Sequence, residues 1–348
     1  MNRLILSTIL MIRYVYGQTF IPTSKPIMNY ENKAYLTPFE NWMDTYRIQF
    51  HSEEHFYDVL RKWVVNELYI KKVNSENRSY TLGHNQFSGM DEFEFKKYVM
   101  TNKDIFNREF RSHSFMSLNQ TLSLPASVNW LDSGYVTPVK DQGQCGSCWS
   151  FSTTGALEGA YGIKYGKLFS FSEQQLVDCD NLKNGGKDHG CNGGLMDNAF
   201  SWINKNNGLC GESDYPYISG SGKSGSCETI CSNIPNSKIQ SYVDVLEGDS
   251  YFMSALAQQP LSIAIEADER DFQLYTSGVF TGTCGTNLDH GVLAIGYGTE
   301  SGEDYYLVKN SWGVTWGESG YIKLGRGPDY NDGKGQCGIL MEASYPLL

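Results

Sequence analysis

The nine residues DQGQCGSCW, Asp141 to Trp149, admit three readings, and the choice among them decides the fold. Two cysteines three positions apart could be half a zinc site, a redox pair, or one structural thiol beside one reactive thiol. Zinc needs four ligands, usually from two close pairs. The nearby Cys179, His189 and Cys191 do not form a second such pair. A thioredoxin-like pair belongs at a strand-to-helix turn in a βαβ unit, and no preceding parallel strand is evident. The third reading needs a base and an orienting group downstream. LDHGVLAIGYG supplies His290, before an apolar run, and VKNSWGVTWGESGY supplies Asn310, at the end of another, where loop ends reach a cleft.

The remaining cysteines fit that reading. There are nine, at 145, 148, 179, 191, 210, 227, 231, 284 and 337, all beyond residue 140. In an oxidising compartment eight can pair, and the odd one out is a candidate reactive thiol. The start of the chain agrees. In MNRLILSTILMIRYVYG, Arg3 precedes an apolar stretch from Leu4 to Ile12, with small residues before Gln18. This predicts a signal peptide over 1–17, hence the secretory pathway, ending in secretion or in a lysosome or vacuole. A short membrane anchor is the alternative for this stretch; no later segment is apolar enough to span a bilayer. The sequons at Asn77 and Asn119 are compatible with secretion.

Texture changes near residue 124. Residues 18–123 hold no cysteine and contain EEHFYDVLRKWVVNELYIKKVN, where Phe56, Leu60, Trp63, Leu68 and Ile70 recur at helical spacing. From LPASVNW onward come glycine-rich loops, cysteines and short β-branched runs. Residues 124–348 carry 13 Lys and Arg against 26 Asp and Glu, a net of −13; the first 123 carry 15 against 13, a net of +2. With a total of −11 and no basic cluster, nucleic acid is excluded as a partner. In the second unit, CWSFSTTGALEGAYGIKYG predicts a helix from Cys148 to about Gly166, and GLMDNAFSWINKNNG another stopped by Gly208. LSIAIEA, GVLAIGYG, DYYLVKNSW and GYIKLGR then read as strands. A helical lobe followed by a β lobe predicts an α+β architecture with a cleft between.

The chain resembles papain-family cysteine proteases of the cathepsin L-like, plant and protist branch. CGSCWSFSTTGALEG, SEQQLVDCD, GCNGGLMDNAF, SDYPY, DFQLYTSGVF, LDHGVLAIGYG and NSWGVTWGESGY carry the likeness across the whole second unit. It implies a two-lobe peptidase over 124–348, with a helical lobe at about 131–235 and a β-barrel-like lobe at about 236–345. Cys148 is then the nucleophile, His290 its base and later acid, and Asn310 the group that orients the imidazole. Gln142 donates to the oxyanion, and Trp312 covers the His–Asn pair. The resemblance further implies substrate binding by Gly193, Gly194, Leu195, Met196, Ala264, Leu288, Asp289, Gly291, Trp312 and Glu342. Leu195, Met196, Ala264, Leu288 and Gly291 would line the pocket for the P2 side chain, with Glu342 at its far end. That set implies a preference for apolar P2 residues; Glu342 either accepts Arg there as a secondary choice or swings into solvent and matters little.

By the same resemblance Cys145 pairs with Cys191, Cys179 near Cys227, and Cys284 with Cys337. Cys210 and Cys231 make a fourth bridge, and the partners of Cys227 and Cys231 remain exchangeable. Residues 18–123 become an inhibitory prosegment. Of the prosegment helix pattern, Asn66, Ile70 and Asn74 are kept and Trp63 stands at the aromatic position, while His55 and Val59 replace its acidic and basic residues. In GHNQFSG, Gly83, Asn85 and Phe87 are kept, and Gly89 stands where the pattern has aspartate. The implied protein is a monomeric endopeptidase without cofactor or metal. It acts on peptides and proteins and is restrained by its own prosegment and by proteinaceous inhibitors. No histidine-bearing insertion between CNGG and YPY marks an exopeptidase. Acyl transfer to an amine through the same thioester, or a silent storage or binding homologue, are the alternatives.

Overall fold

The computed structural model describes residues 33–99 and 124–348. The signal-peptide stretch 1–17, the sequon at Asn119, and the parts of the prosegment at 18–32 and 100–123 lie outside the described residues. Among the described residues no helix is long and apolar enough to cross a membrane.

The prosegment comprises α1 (Lys33–Tyr46), α2 (Glu53–Asn74), β1 (Tyr80–Leu82) and α3 (Glu92–Val99). Ser52 caps α2 by accepting from the His55 N–H at 3.1 Å. Glu53 and Glu54 in the first turn and Lys71 and Lys72 in the last complement the helix dipole. The buried face of α2 is Phe56, Val59, Leu60, Trp63, Asn66, Ile70 and Val73. Leu68, assigned to this face by spacing, is 51 % exposed. It sits two residues from Asn66 and from Ile70, an offset that turns it away from both. Phe39, Trp42, Phe50, Phe56 and Trp63 build a separate aromatic core with Val59 and Leu60.

Two of the three departures from the prosegment pattern, Val59 and Gly89, touch each other. A Cβ at Gly89 would stand 2.7 Å from Val59 Cγ1 and 2.9 Å from Trp42. Apolar contact joins these two positions, and only glycine leaves room for it. Ionic linkage is taken over by Lys62, which bonds Asp58 one turn back and Glu94 of α3 at 2.6 Å.

The second unit opens with β2 (Val128–Asn129), then α4 (Cys148–Tyr165), α5 (Glu173–Cys179) and α6 (Met196–Lys205). α4 is buried on all sides over its first four turns, and its glycines explain how. A Cβ at Gly155 would meet Leu293 at 2.8 Å and one at Gly159 would meet Pro260 at 2.5 Å. Gly166 ends the helix at φ 68°. The β lobe holds β3 (Ser241–Asp244), α7 (Asp249–Leu256), β4 (Leu261–Ile265), α8 (Arg270–Gln273), β5 (Tyr275–Phe280), β6 (His290–Glu300), β7 (Glu303–Lys309), β8 (Tyr321–Gly325) and β9 (Glu342–Leu347).

The strands run in the order β1-β5-β8-β7-β6-β4-β9-β3, with β2 on β6. This path is open at both ends, so the barrel-like lobe is a curved sheet without hydrogen-bonded closure. The prosegment supplies one edge, β1 pairing antiparallel with β5 at Tyr80↔Gly278 and Thr81↔Ser277. Ile70, Val73, Leu82, Phe87, Phe95 and Val99 join the core of the β lobe. The first half of the prosegment therefore packs on itself and the second half packs on the peptidase unit.

Candidate active site

Cys148 is the first residue of α4, where unsatisfied backbone N–H groups and the positive end of the helix dipole favour a thiolate. It is 1 % exposed and lies outside every disulfide. The four bridges are Cys145–Cys191, Cys179–Cys227, Cys210–Cys231 and Cys284–Cys337.

His290 opens β6, and the next residue locks that strand onto the helix start. A Cβ at Gly291 would stand 3.3 Å from the Cys148 carbonyl carbon and from the Trp149 backbone. One turn on, the Ser152 hydroxyl donates to the Val292 carbonyl at 2.7 Å. His290 Nε2 lies 2.8 Å from Asn310 Oδ1, just past the end of β7. Asn310 Oδ1 also accepts from the Ser311 N–H at 2.7 Å. An amide oxygen only accepts, so Nε2 carries the hydrogen and the neutral ring presents Nδ1 as the basic nitrogen. The Trp312 ring stacks on the imidazole, centroids 4.6 Å apart. Burial pushes the His290 pKa down to about 4, against the Asn310 hydrogen bond, which raises it.

Gln142 is buried and held at several points. Its Nε2 donates to the Cys145 carbonyl at 3.0 Å, and its Oε1 accepts from the Ser311 hydroxyl at 2.6 Å. Its backbone N–H donates to the Ser311 carbonyl at 2.9 Å. The Tyr217 hydroxyl donates to the Gln142 carbonyl at 2.8 Å and bonds the Ser147 hydroxyl at 2.8 Å. Ser311 thus ties the glutamine to the asparagine, and Tyr217 ties it to the residue before the thiol. Sequence reasoning misses both. Ser311 stands in plain view between Asn310 and Trp312, whereas Tyr217 closes the SDYPY motif, far from Gln142 in sequence, and nothing in that motif says which residue it reaches.

The other site residues gather on one side. Ala264 on β4 pairs with Gly291 on β6 and with Glu342 on β9. Directly opposed residues share a face of the sheet, so Glu342 and Gly291 flank Ala264 on the same face. Met196, Ala264 and Leu288 belong to one apolar cluster, with Leu195 and Met341 packed against it. Gly193 holds φ 103°, and Gly194 is wedged between Trp149 and Asp188. The Asp289 side chain is turned inward, accepting from the Ala267 N–H at 2.8 Å, so its carboxylate is committed to the fold.

The prosegment covers this arrangement. Phe87, Phe95 and Tyr98 pack on Trp312 with centroids 5.3, 5.7 and 6.1 Å away. Gln86 Nε2 donates to the Trp312 carbonyl at 2.6 Å, and the Thr315 hydroxyl donates to Gln86 Oε1 at 2.9 Å. Beneath the site lies a buried charge group that sequence reasoning also misses. Lys140 Nζ bonds Glu173 at 2.6 Å and Glu158 at 3.4 Å, and Lys309 Nζ donates to Thr137 at 2.9 Å. Glu266, Asp268 and Glu269 bring oxygens within 4.8 Å of one another. Glu266 accepts the Gly285 and Asn287 N–H groups, and Lys96 of α3 stands 4.0 and 3.8 Å from Asp268 and Glu269. Two of the three, Asp268 and Glu269, thus face the prosegment through Lys96.

Residues 124–347 match the family model described as papain family cysteine protease, and residues 39–95 match the cathepsin propeptide inhibitor domain. A probable cysteine protease of Arabidopsis thaliana, RD21B, is 49 % identical over 81 % of this chain, which spans 59 % of that relative's length. The KDEL-tailed cysteine endopeptidase CEP2 of the same plant is 43 % identical over 89 % of this chain and 85 % of its own. Among solved structures, a recombinant stem bromelain precursor superposes with a TM-score of 0.81 at 36 % identity, covering 90 % of this chain and 99 % of that one. Digestive procathepsin L 3 of Tenebrio molitor larval midgut superposes at 0.77 and 36 % identity, covering 90 % and 99 %.

Proposed function

Because the chain belongs to the papain family of cysteine proteases, we propose that it is an endopeptidase made as an inactive precursor, with Cys148 as its nucleophile. The observation that carries this reading is a buried thiol, outside every disulfide, at a helix start that abuts a His290–Asn310 pair 2.8 Å apart. The Cys148 thiolate attacks the peptide carbonyl, and His290 then protonates the leaving amine. Asn310 keeps Nε2 occupied so that Nδ1 serves the thiol. The backbone N–H of Cys148 and the free hydrogen of Gln142 Nε2 receive the oxyanion. Water, activated by His290, hydrolyses the thioester.

The organisation proposed is a signal peptide over 1–17, a prosegment over 18–123 and the peptidase over 124–348. Leu195, Met196, Ala264, Leu288 and Gly291 form the P2 pocket, with Glu342 at its far end and Gly193 and Gly194 along the substrate backbone. Four disulfides support passage through an oxidising compartment, and secretion or a lysosome or vacuole is the destination that fits. Peptide and protein substrates are its partners.

The test is conversion of the purified precursor followed by assay on peptides with Leu or Phe at P2. Hydrolysis should appear with conversion and vanish on alkylation, with the label on Cys148 by mass mapping. Activity that survives alkylation of Cys148 would overturn the assignment.

A further inference from the structure

Two carboxylates sit behind the loop segment, Gly193 to Leu195, proposed to bind substrate. Asp180 follows α5 and Asp188 closes the next loop; they are 0 and 2 % exposed. The Asp188 N–H donates to the Asp180 carbonyl at 3.1 Å, and the Lys187 N–H donates to Asp180 Oδ1 at 3.1 Å. Asp188 Oδ1 accepts from the Leu195 N–H at 3.0 Å and from Asn198 Nδ2 at 2.9 Å. That leaves Asp180 Oδ2 and Asp188 Oδ2, both fully buried, with no donor from any other residue. The two side chains lie close enough to interact directly.

Two ionised carboxylates can only accept, so a bond between them requires a proton on one. We propose that Asp180 and Asp188 share one proton and, as a pair, position Gly194 and Leu195 for substrate binding. They are positioning residues, acting on the site through the loop segment they brace. There is little slack in the stack. A Cβ at Gly194 would stand 2.7 Å from Asp188 Cγ on one side and 2.6 Å from Trp149, the neighbour of Cys148, on the other. Trp149 Nε1 in turn donates to the Gly190 carbonyl at 3.1 Å, and the His189 N–H donates to the Gly193 carbonyl at 2.8 Å. Any displacement of Asp188 passes to Leu195 through its N–H and to Gly194 by contact.

Removing the shared proton leaves two negative charges in a buried site. Around them, Lys205 at the end of α6 favours ionisation of Asp180 but is itself exposed, Lys187 contributes its backbone N–H, and Asn198 is neutral. Burial pushes Asp180 up to about 6, and burial together with the Asp180 charge pushes Asp188 well above the usual carboxylate range. Both values are raised, so the folded protein holds the proton more tightly than the unfolded chain does. The stability this contributes is full below about pH 4 and is lost as pH rises through about 6 and beyond.

The kinetic arm of the test rests on the endopeptidase reading; the thermal arm does not. In Asp188→Asn, the new Nδ2 supplies the missing donor to Asp180 Oδ2 while Oδ1 keeps Leu195 and Asn198. For the converted wild-type enzyme on a peptide with Leu at P2, KM should rise at least about fivefold between about pH 5.5 and about pH 7.5. In Asp188→Asn it should change by less than about twofold over the same range. In the full precursor carrying Cys148→Ala, the thermal midpoint should fall by several degrees over that range. Adding Asp188→Asn to that precursor should make the fall much smaller. Asp180→Asn, which donates from the other side, should flatten both readouts in the same way. A preparation that hydrolyses no peptide defeats the endopeptidase reading and leaves the thermal arm to decide. Equal pH dependence of KM and midpoint in wild type and in both variants overturns the proton-sharing pair.

Discussion

The Arg78 guanidinium donates to the Asp271 carboxylate at 2.9 Å, joining the prosegment to the peptidase unit through a buried group. Tyr69 donates to the same carboxylate at 2.6 Å, and Tyr80 donates to it as well. The adjacent Arg270 reaches the other way, donating to Asn66 Oδ1 at 2.8 Å and lying 4.0 Å over the Tyr69 ring. Two neighbouring residues of opposite charge thus clasp one stretch of prosegment. This clasp is local and specific, whereas the contrast of +2 against −13 between the two units is a long-range pull that salt screens.

Asp271→Ala leaves two tyrosine hydroxyls and an arginine without their shared acceptor. Truncating one partner of such a charge-assisted cluster costs about 2–5 kcal/mol of binding, roughly a 30-fold or greater loss of prosegment affinity. The unconverted precursor should then show peptidase activity that the wild-type precursor lacks. A variant precursor as silent as wild type would mean the clasp contributes little.

Acid should loosen the prosegment through His84. Its ring stacks on Trp63 at 4.2 Å, with Nε2 3.0 Å from Glu67, and burial holds its pKa below 6.5. The unfolded prosegment takes up that proton near its ordinary value while the folded one resists, so stability is lost as pH falls below about 6.5. Burial opposes the charge on Glu67, but hydrogen bonds from Lys71 and His84 outweigh it and hold its pKa below 4.5. Its contribution is present above that value and lost as pH falls through the lowered one. Both groups act in the same direction. His84→Phe keeps the stacking and removes the proton, so the midpoint of precursor conversion should move to lower pH. An unmoved midpoint would assign acid release to other groups.

Reactivity of the thiol should change with conversion. In the precursor Cys148 is buried and burial keeps the His290 pKa near 4, so at neutral pH no imidazolium stabilises a thiolate. Uncovering Trp312 rehydrates the ring and lets the pKa rise. Alkylation of Cys148 at fixed pH should accelerate by roughly an order of magnitude or more on conversion. Equal rates before and after would show that the prosegment neither shields nor detunes the thiol.

Most of the candidate site is legible in the chain because it sits in short motifs of unusual residues. The helix at Cys148 ends at the glycine that marks its stop, and the four strand-like segments are β4, β6, β7 and β8. What stays hidden is tertiary. Val59 and Gly89 each read as a loss from the prosegment pattern, yet they lie 30 positions apart in sequence and fit each other in space. Asp180 and Asp188 read as ordinary loop acids, since sequence cannot show that both are buried. Leu68 is misassigned by spacing because an apolar side chain near a helical stripe need not lie on it.

Gln142→Ala should lower kcat by about 10²–10³, the usual effect of removing one oxyanion donor. Ser311→Ala offers a graded comparison, because Ser311 fixes Gln142 Oε1 at 2.6 Å without reaching the substrate. Its effect should fall on kcat in the same sense but be smaller, about tenfold or less. A Ser311→Ala loss confined to KM would argue that the hydroxyl supports binding geometry instead.

Glu342 opens β9 directly opposite Ala264, on the face that also carries Gly291. Met196 and Leu288 share an apolar cluster with Ala264, and Leu195 packs against it, so the proposed pocket should favour Leu, Val or Phe at P2 on area alone. A carboxylate at the far end adds a second mode, since it matches a guanidinium with two parallel hydrogen bonds. Acceptance of P2 Arg then depends on ionised Glu342, while acceptance of P2 Leu does not. The Arg-to-Leu ratio in kcat/KM should rise with pH as the carboxylate ionises in wild type and stay flat in Glu342→Gln. Glu342→Ala should lower that ratio at about pH 6 by about tenfold, corresponding to about 1.4 kcal/mol for one charge-assisted pair. If the ratio is unchanged in both variants, Glu342 swings clear of the P2 side chain and the pocket discriminates on shape and hydrophobicity alone.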